Sequence, residues 1–238
     1  MLSIDVIVAP HPRAWQKRLL DRLAAAGHSL GISVGSETPA WPVSAGLALG
    51  FERHVLRRPA ELTGPATIDP APLASPADLV VDLTGRASVA SVPMLRVAFD
   101  GTLDDGAVLS ILAAGCLPEV EILLDGSVFE RAVPMVDRRT FVTSAAEDVL
   151  ARAITAVLKS VHRFALGDRA TTPLEAATQP PAFGAAYVTS ALPRIGRELL
   201  RRARYRSDHW RVGYRLIDGP VPEAAAAATE RALDEVAA

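Results

Sequence analysis

Short apolar runs separated by helix-length connections constrain this chain more than any other feature, because they admit parallel pairing. Ile4, Val6, Ile7 and Val8 form the first run, which ends at Pro10-His11-Pro12. Trp15, Leu19, Leu20 and Leu23 then recur at helical spacing, with Arg13, Lys17, Arg18, Asp21 and Arg22 largely off that face, and Gly27 closes the helix. Leu30, Ile32 and Val34 alternate as a second strand. A β-α-β return of this kind makes the two strands parallel. Leu79, Val80, Val81 and Leu83 form a third run, ending at Asp82-Leu83-Thr84-Gly85, and Leu95, Val97 and Phe99 a fourth. The fold class expected is α/β, a mainly parallel Rossmann-like sheet with helices on both faces.

The remaining periodicities set the expected organisation. A helix is expected from Ser44 to about Leu56, with Leu47, Leu49, Phe51 and Val55 apolar, followed by a proline-rich connection from Pro59 to Pro76. A short apolar helix spans Gly106 to Ala114, where Asp104 or Asp105 suits the amide-rich start. Two strands, from Val120 to Leu124 and from Val128 to Val136, meet at the hairpin signal Asp125-Gly126. Ser144 with Glu147 reads as a capping box opening the longest helix, through Val149, Ile154, Val157, Leu158 and Val161. After Gly167 the prolines Pro173, Pro180 and Pro181 mark a linker. The expected division is a domain over 1–166, a linker over 167–193 and an Arg-rich, Ala-rich helical tail over 194–238.

Composition narrows the class. Half of the 238 residues are hydrophobic and 22% are charged, as in ordinary globular proteins. Cys116 is the sole cysteine, which excludes an internal disulfide and a cysteine-based metal site within one chain; it reads as a small buried side chain. No basic n-region precedes the apolar stretch at Val6 to Ala9, and no apolar run is long enough to span a bilayer, so a soluble, cytoplasmic protein without a transmembrane segment is expected. The net charge of -2 is uneven: residues 194–215 hold eight arginines against Glu198 and Asp208, a local +6, leaving -8 elsewhere. Tyr205, Trp210 and Tyr214 interleave with those arginines as stacking residues do in nucleic-acid binders, yet no recognised binding module surrounds them. The segment reads as a solvated helix suited to a protein partner, and nucleic acid is not the expected ligand.

Motif chemistry is mostly exclusion. Gly-x-Gly-x-x-Gly, a Walker loop, Gly-x-Ser-x-Gly and His-Glu-x-x-His are all absent. Phe99-Asp100-Gly101-Thr102-Leu103-Asp104 resembles the nucleophile loop of haloacid-dehalogenase-type phosphatases, but the nucleophile position holds Ala98, which cannot form an aspartyl-phosphate. His28, His54, His162 and His209 have no ligand at metal spacing, so no metal is predicted, and no cofactor either. His11, where the first strand meets the first helix, stands at a usual ligand-binding edge.

The order of elements from the third strand to the long helix resembles the folate-dependent formyltransferase fold. That resemblance implies Asn-x-His on the strand before the short helix and an aspartate further along; here Arg96 stands at the asparagine, Ala98 at the histidine, and Asp125 near the last aspartate. Without the histidine, ordinary formyl transfer is not expected. Leu19-Leu20-Asp21-Arg22-Leu23, Gly27-His28, Phe51-Glu52-Arg53, Asp82-Leu83-Thr84-Gly85 and Asp208 to Arg215 resemble bacterial proteins related to glucosamine inositolphosphorylceramide transferase, in which such a degenerate domain precedes a β-propeller-like domain. Only 23 residues follow Arg215, so the sugar transfer of that second domain is not expected of this chain.

These observations imply a transferase-like module that binds or assembles in a glycan or lipid-glycan pathway, with a small-molecule or sugar-nucleotide ligand. The alternatives are a transferase using a formyl or sugar-nucleotide donor with a rearranged site built from His11, Asp82, Arg96 and Asp100, and an anionic-surface or nucleic-acid binder using the arginine tail.

Overall fold

A computed structural model describes residues 1–35, 41, 43–58, 60–87, 91–134, 141–174 and 182–204. The chain divides into two compact units, Met1–Pro193 and Arg194–Ala238. In the first, six strands form one sheet: β1 (Ser3–Val8), β2 (Ser29–Val34), β3 (Leu79–Asp82), β4 (Met94–Phe99), β5 (Val120–Leu124) and β6 (Ser127–Ala132). The sheet order is β2-β1-β3-β4-β5-β6. The three pairs among β2, β1, β3 and β4 are parallel, as the short apolar runs imply, while β4-β5 and β5-β6 are antiparallel. Every residue of β3 and β5 is buried, the pattern of strands covered on both sides.

The helices are α1 (Ala14–Ala25), α2 (Val43–His54), α3 (Gly106–Ala114), α4 (Val142–Ala165) and α5 (Phe183–Ala186), the last running into a π-helical turn at Tyr187–Ala191. Trp15, Leu19, Leu20 and Leu23 form the buried face of α1 as their spacing implies, and Gly27 takes φ +83 just past its end. α3 carries no charged residue and is buried from Ala107 to Ala113.

Several details differ from the sequence expectation. α2 buries Ala45, Ala48 and Glu52, while Leu47, Phe51 and Val55 are exposed. α4 starts at Val142, two residues before the expected Ser144 cap. Glu147 instead accepts from the amides of Leu62 and Thr63 and from the Thr63 hydroxyl at 2.8–3.0 Å, tying the proline-rich connection to the helix. The start of α4 is satisfied by Glu52, which accepts from the amides of Val142 (3.2 Å) and Thr143 (2.8 Å). β6 ends at Ala132 and Val133 is exposed; Val136 lies outside the described residues. Cys116 is exposed rather than buried, because it follows Gly115, whose φ of +95 turns the chain away at the end of α3.

The 167–193 segment is more than a linker. Phe183, Ala186, Tyr187 and Ala191 are buried, the rings of Phe183 and Tyr187 stack at 5.4 Å, and the Tyr187 hydroxyl donates to Glu52 at 3.0 Å. Within Arg194–Ala238, residues 194–204 are helical, with Glu198 paired to Arg201 and Arg202 at 2.9 and 2.7 Å. Tyr205, Trp210, Tyr214 and the Ala-rich end lie outside the described residues. Among the described residues no helix is long and apolar enough to cross a membrane.

Candidate functional site

Open parallel sheets place ligands beyond the carboxyl ends of their strands. Asp82 ends β3 there, buried, and its carboxylate is fully engaged. Oδ1 accepts from the Thr84 amide (2.9 Å), the Thr84 hydroxyl (2.7 Å) and the Gly85 amide (3.1 Å); Oδ2 accepts from the Ala87 amide (3.0 Å) and from Nε of Arg96 (3.1 Å). Arg96 stands opposite Asp82 in the β3–β4 register and also donates from Nη2 to the Ala87 carbonyl. One buried carboxylate and one guanidinium therefore pin the 83–87 turn onto β4.

Two residues beyond Arg96, Ala98 is fully buried among Leu123 and Val128, with Leu103 and Leu174 packed against them. The side chain at that position is a methyl group enclosed by apolar neighbours. Asp100 adopts φ +47 and is a turn residue: its amide donates to the Glu119 carbonyl (3.0 Å), and its Oδ1 accepts from the Glu119 amide (2.7 Å). The next amide, of Gly101, donates to Glu121 Oε2 at 2.8 Å. Burial pushes the Glu121 carboxyl above its ordinary value; the Gly101 amide and Arg131 oppose that rise, while Glu119 and Asp100 add to it. His11 is exposed. Of the four residues expected to act together, the structure joins Asp82 to Arg96. Among the described residues no hydrogen bond or ion pair links His11 or Asp100 to that pair. Asp125 is placed at the opposite edge: β5 runs antiparallel to β4, so the hairpin returns to the start of β4, where Asp125 Oδ1 accepts from the Met94 amide at 2.9 Å.

A second cluster at the carboxyl edge was not expected from the sequence. Asp105, at the start of α3, accepts from the indole N–H groups of Trp15 (3.1 Å) and Trp41 (2.9 Å), and the Arg13 guanidinium lies 3.9 Å above the Trp41 ring. The end of β1 and the end of β4 are thus joined through one carboxylate. Desolvation pushes the Asp105 carboxyl above its ordinary value; the two indole donors and Arg13 work against it, and Asp104 adds to it. Helix capping falls to Asp104, whose Oδ1 accepts from the Gly106 amide at 2.8 Å. Two tryptophans near the ends of the first strand and the first loop were the available signal, but Trp15 also fits the apolar face of α1 and gives no hint of a polar partner. The amino end of α1 is closed as well, since the amides of Ala14 and Trp15 donate to the carbonyls of Gly64 and Leu62 at 2.8 and 3.0 Å.

A groove of about 730 Å³ lies between α1 and α4, lined by charges of both signs, among them Lys17, Arg18, Arg22 and Asp148; none of His11, Asp82, Arg96 or Asp100 lines it. Among the described residues no group of three His, Cys, Asp or Glu side chains could hold a metal ion.

No family model matches the sequence, and no curated protein matches it. Solved structures with a similar chain path include HypX from Aquifex aeolicus in complex with tetrahydrofolic acid (13% identity, 74% of this chain and 29% of that one, TM-score 0.46). They also include a likely sugar N-formyltransferase from Mycobacterium tuberculosis (16% identity, 77% and 74%, TM-score 0.43) and a 4-N formyltransferase from Francisella tularensis (14% identity, 77% and 75%, TM-score 0.40). The chain spans about a third of the length of the HypX structures it matches. At these identities and TM-scores the likenesses carry nothing about chemistry.

Proposed function

We propose that Met1–Pro193 is a formyltransferase-like module that binds a small molecule or a partner without transferring a formyl group. The observation that carries this reading is the state of β4: Arg96 is bound to Asp82 and to the Ala87 carbonyl, and Ala98 is buried in an apolar cluster. Formyl transfer needs a group that moves a proton at the tetrahedral intermediate and a donor left free to bind its oxyanion. A locked cation and a buried methyl supply neither. A role in a glycan or lipid-glycan pathway rests on the sequence resemblance, and a sugar nucleotide is the ligand class it favours. The test is a thermal-shift screen with nucleotide sugars, folates and acidic lipids, because a ligand of the native state raises stability. A concentration-dependent rise with a nucleotide sugar supports the reading; no rise with any of the three removes the binding role.

One observation favours a second reading, a transferase with a rearranged site. Asp105 is a carboxyl raised by desolvation at the ligand-binding edge, the condition under which carboxylates serve as general acids or bases. Under that reading Asp105→Asn abolishes a turnover that Asp100→Ala leaves intact.

A further inference from the structure

From Val43 to Phe51 α2 is apolar except for Ser44, and a stretch of that kind is normally enclosed. Here one side is left open. Val43 is 82% exposed, Leu47 72%, Phe51 40% and Val55 63%, a row at four-residue spacing from the first residue of α2 to the residue just past its end. Gly46 and Gly50 flank this row, and nothing lies within 4 Å of where a Cβ would stand on either. Gly184 lies beside Ser44 of α2, where an added Cβ would come to 3.5 Å from the Ser44 hydroxyl, and Val188, one turn on, is 62% exposed.

A row at four-residue spacing is the ridge that interdigitates when two helices pack, and the notch at Gly46 and Gly50 is a groove beside it. One helix thus carries both the ridge and its complement. Glycine inside a helix costs stability relative to alanine, and the return comes only when another backbone approaches closely. A fluid lipid surface gains nothing from such a notch. We propose that α2 is a self-association face, on which a second copy of this chain seats its own α2, the two helices crossing at Gly46 and Gly50. The five exposed side chains offer on the order of 500 Å² per copy, and two copies reach the ~1,000 Å² that a specific interface must clear. Crossed antiparallel at their midpoints, the helices keep the exposed Arg53 and His54 of each copy away from those of the other.

Sedimentation of the full chain across a concentration series tests this. A reversible dimer is expected, and Leu47→Glu should weaken it by about a hundredfold or more, since a carboxylate would be buried without a partner. Gly50→Leu fills the notch and should also dissociate the dimer, while leaving the melting temperature of the monomer unchanged or raised. A chain that stays monomeric throughout overturns the proposal, as does a dimer indifferent to both substitutions. Pelleting of the monomer with anionic phosphatidylglycerol vesicles, strengthened by Gly50→Leu, would also overturn it and assign the face to a membrane surface.

Discussion

α2 and α3 are both apolar helices, yet one turns its large side chains to solvent and the other encloses them. α3 has no polar group that dictates its rotation, so hydrophobic burial alone orients it, and Ala107 to Ala113 are all covered. α2 carries one carboxylate, Glu52, in its last turn. Glu52 accepts from the first amides of α4 and from the Tyr187 hydroxyl, three donors that would otherwise be unsatisfied inside the protein. Leaving buried donors without partners costs about 1–3 kcal/mol each, which is comparable to what burying Leu47 or Phe51 would contribute. The carboxylate therefore decides the rotation, and the apolar ridge faces outward.

The largest test of this contrast is Glu52→Ala, which orphans the Val142 and Thr143 amides and the Tyr187 hydroxyl together. Urea melts should show a loss of roughly 4 kcal/mol or more; a loss under about 1 kcal/mol would mean that Glu52 does not set the orientation of α2. Next in size is a matched pair. Leu109→Ala in α3 should cost about 3 kcal/mol, and Leu47→Ala in α2, measured in dilute monomer, should stay within about 0.5 kcal/mol. Equal costs would erase the distinction between the helices. Tyr187→Phe removes a single donor to Glu52 and should cost about 1 kcal/mol. Tyr187 is raised in pKa by desolvation first and then by the Glu52 charge, so absorbance titration should find one tyrosine that ionises above the ordinary range.

The smallest effect is in pH dependence. Asp105 and Glu121 are raised in the folded unit, so the stability they contribute is fully present below the ordinary carboxylate range and is lost as pH rises through their raised values. Glu130, lowered by Lys159 and Arg163 against an opposing desolvation, behaves in the opposite sense: its contribution is present above the ordinary range and is lost as pH falls through its lowered value. Asp105→Asn should flatten the loss of stability as pH rises above the ordinary carboxylate range. Denaturation midpoints collected across that rise check it, and an unchanged curve would count against a raised Asp105.

The sheet was legible because β1 to β4 and α1 announce themselves through apolar spacing, and the crossover between β1 and β2 permits one pairing. α4 was legible in extent but not in its start, since the cap comes from Glu52, ninety residues earlier. Long-range polar contacts leave no local periodicity. For the same reason Asp82 and Arg96 could be named as candidates, while their mutual engagement could not be read from residues fourteen apart. The Asp105 cluster was missed because its donors, Trp15 and Trp41, count as apolar in any periodicity. The distance of Asp125 from Asp82 and Arg96 could not be read either, because the tight turn at Asp125-Gly126 sends the chain to the opposite edge of the sheet, a consequence of strand direction rather than of motif spacing.

On the proposed reading, the carboxyl edge of β4 is closed to formyl transfer. The most direct measurement offers the full-length protein a formylfolate donor and amino-sugar acceptors and follows release of the deformylated folate. No turnover above the rate without protein is expected, for wild type and for Asp100→Ala alike, because Arg96 is held by Asp82 and Ala98 has no proton to give or take. Robust turnover by wild type that disappears in Asp100→Ala would contradict it.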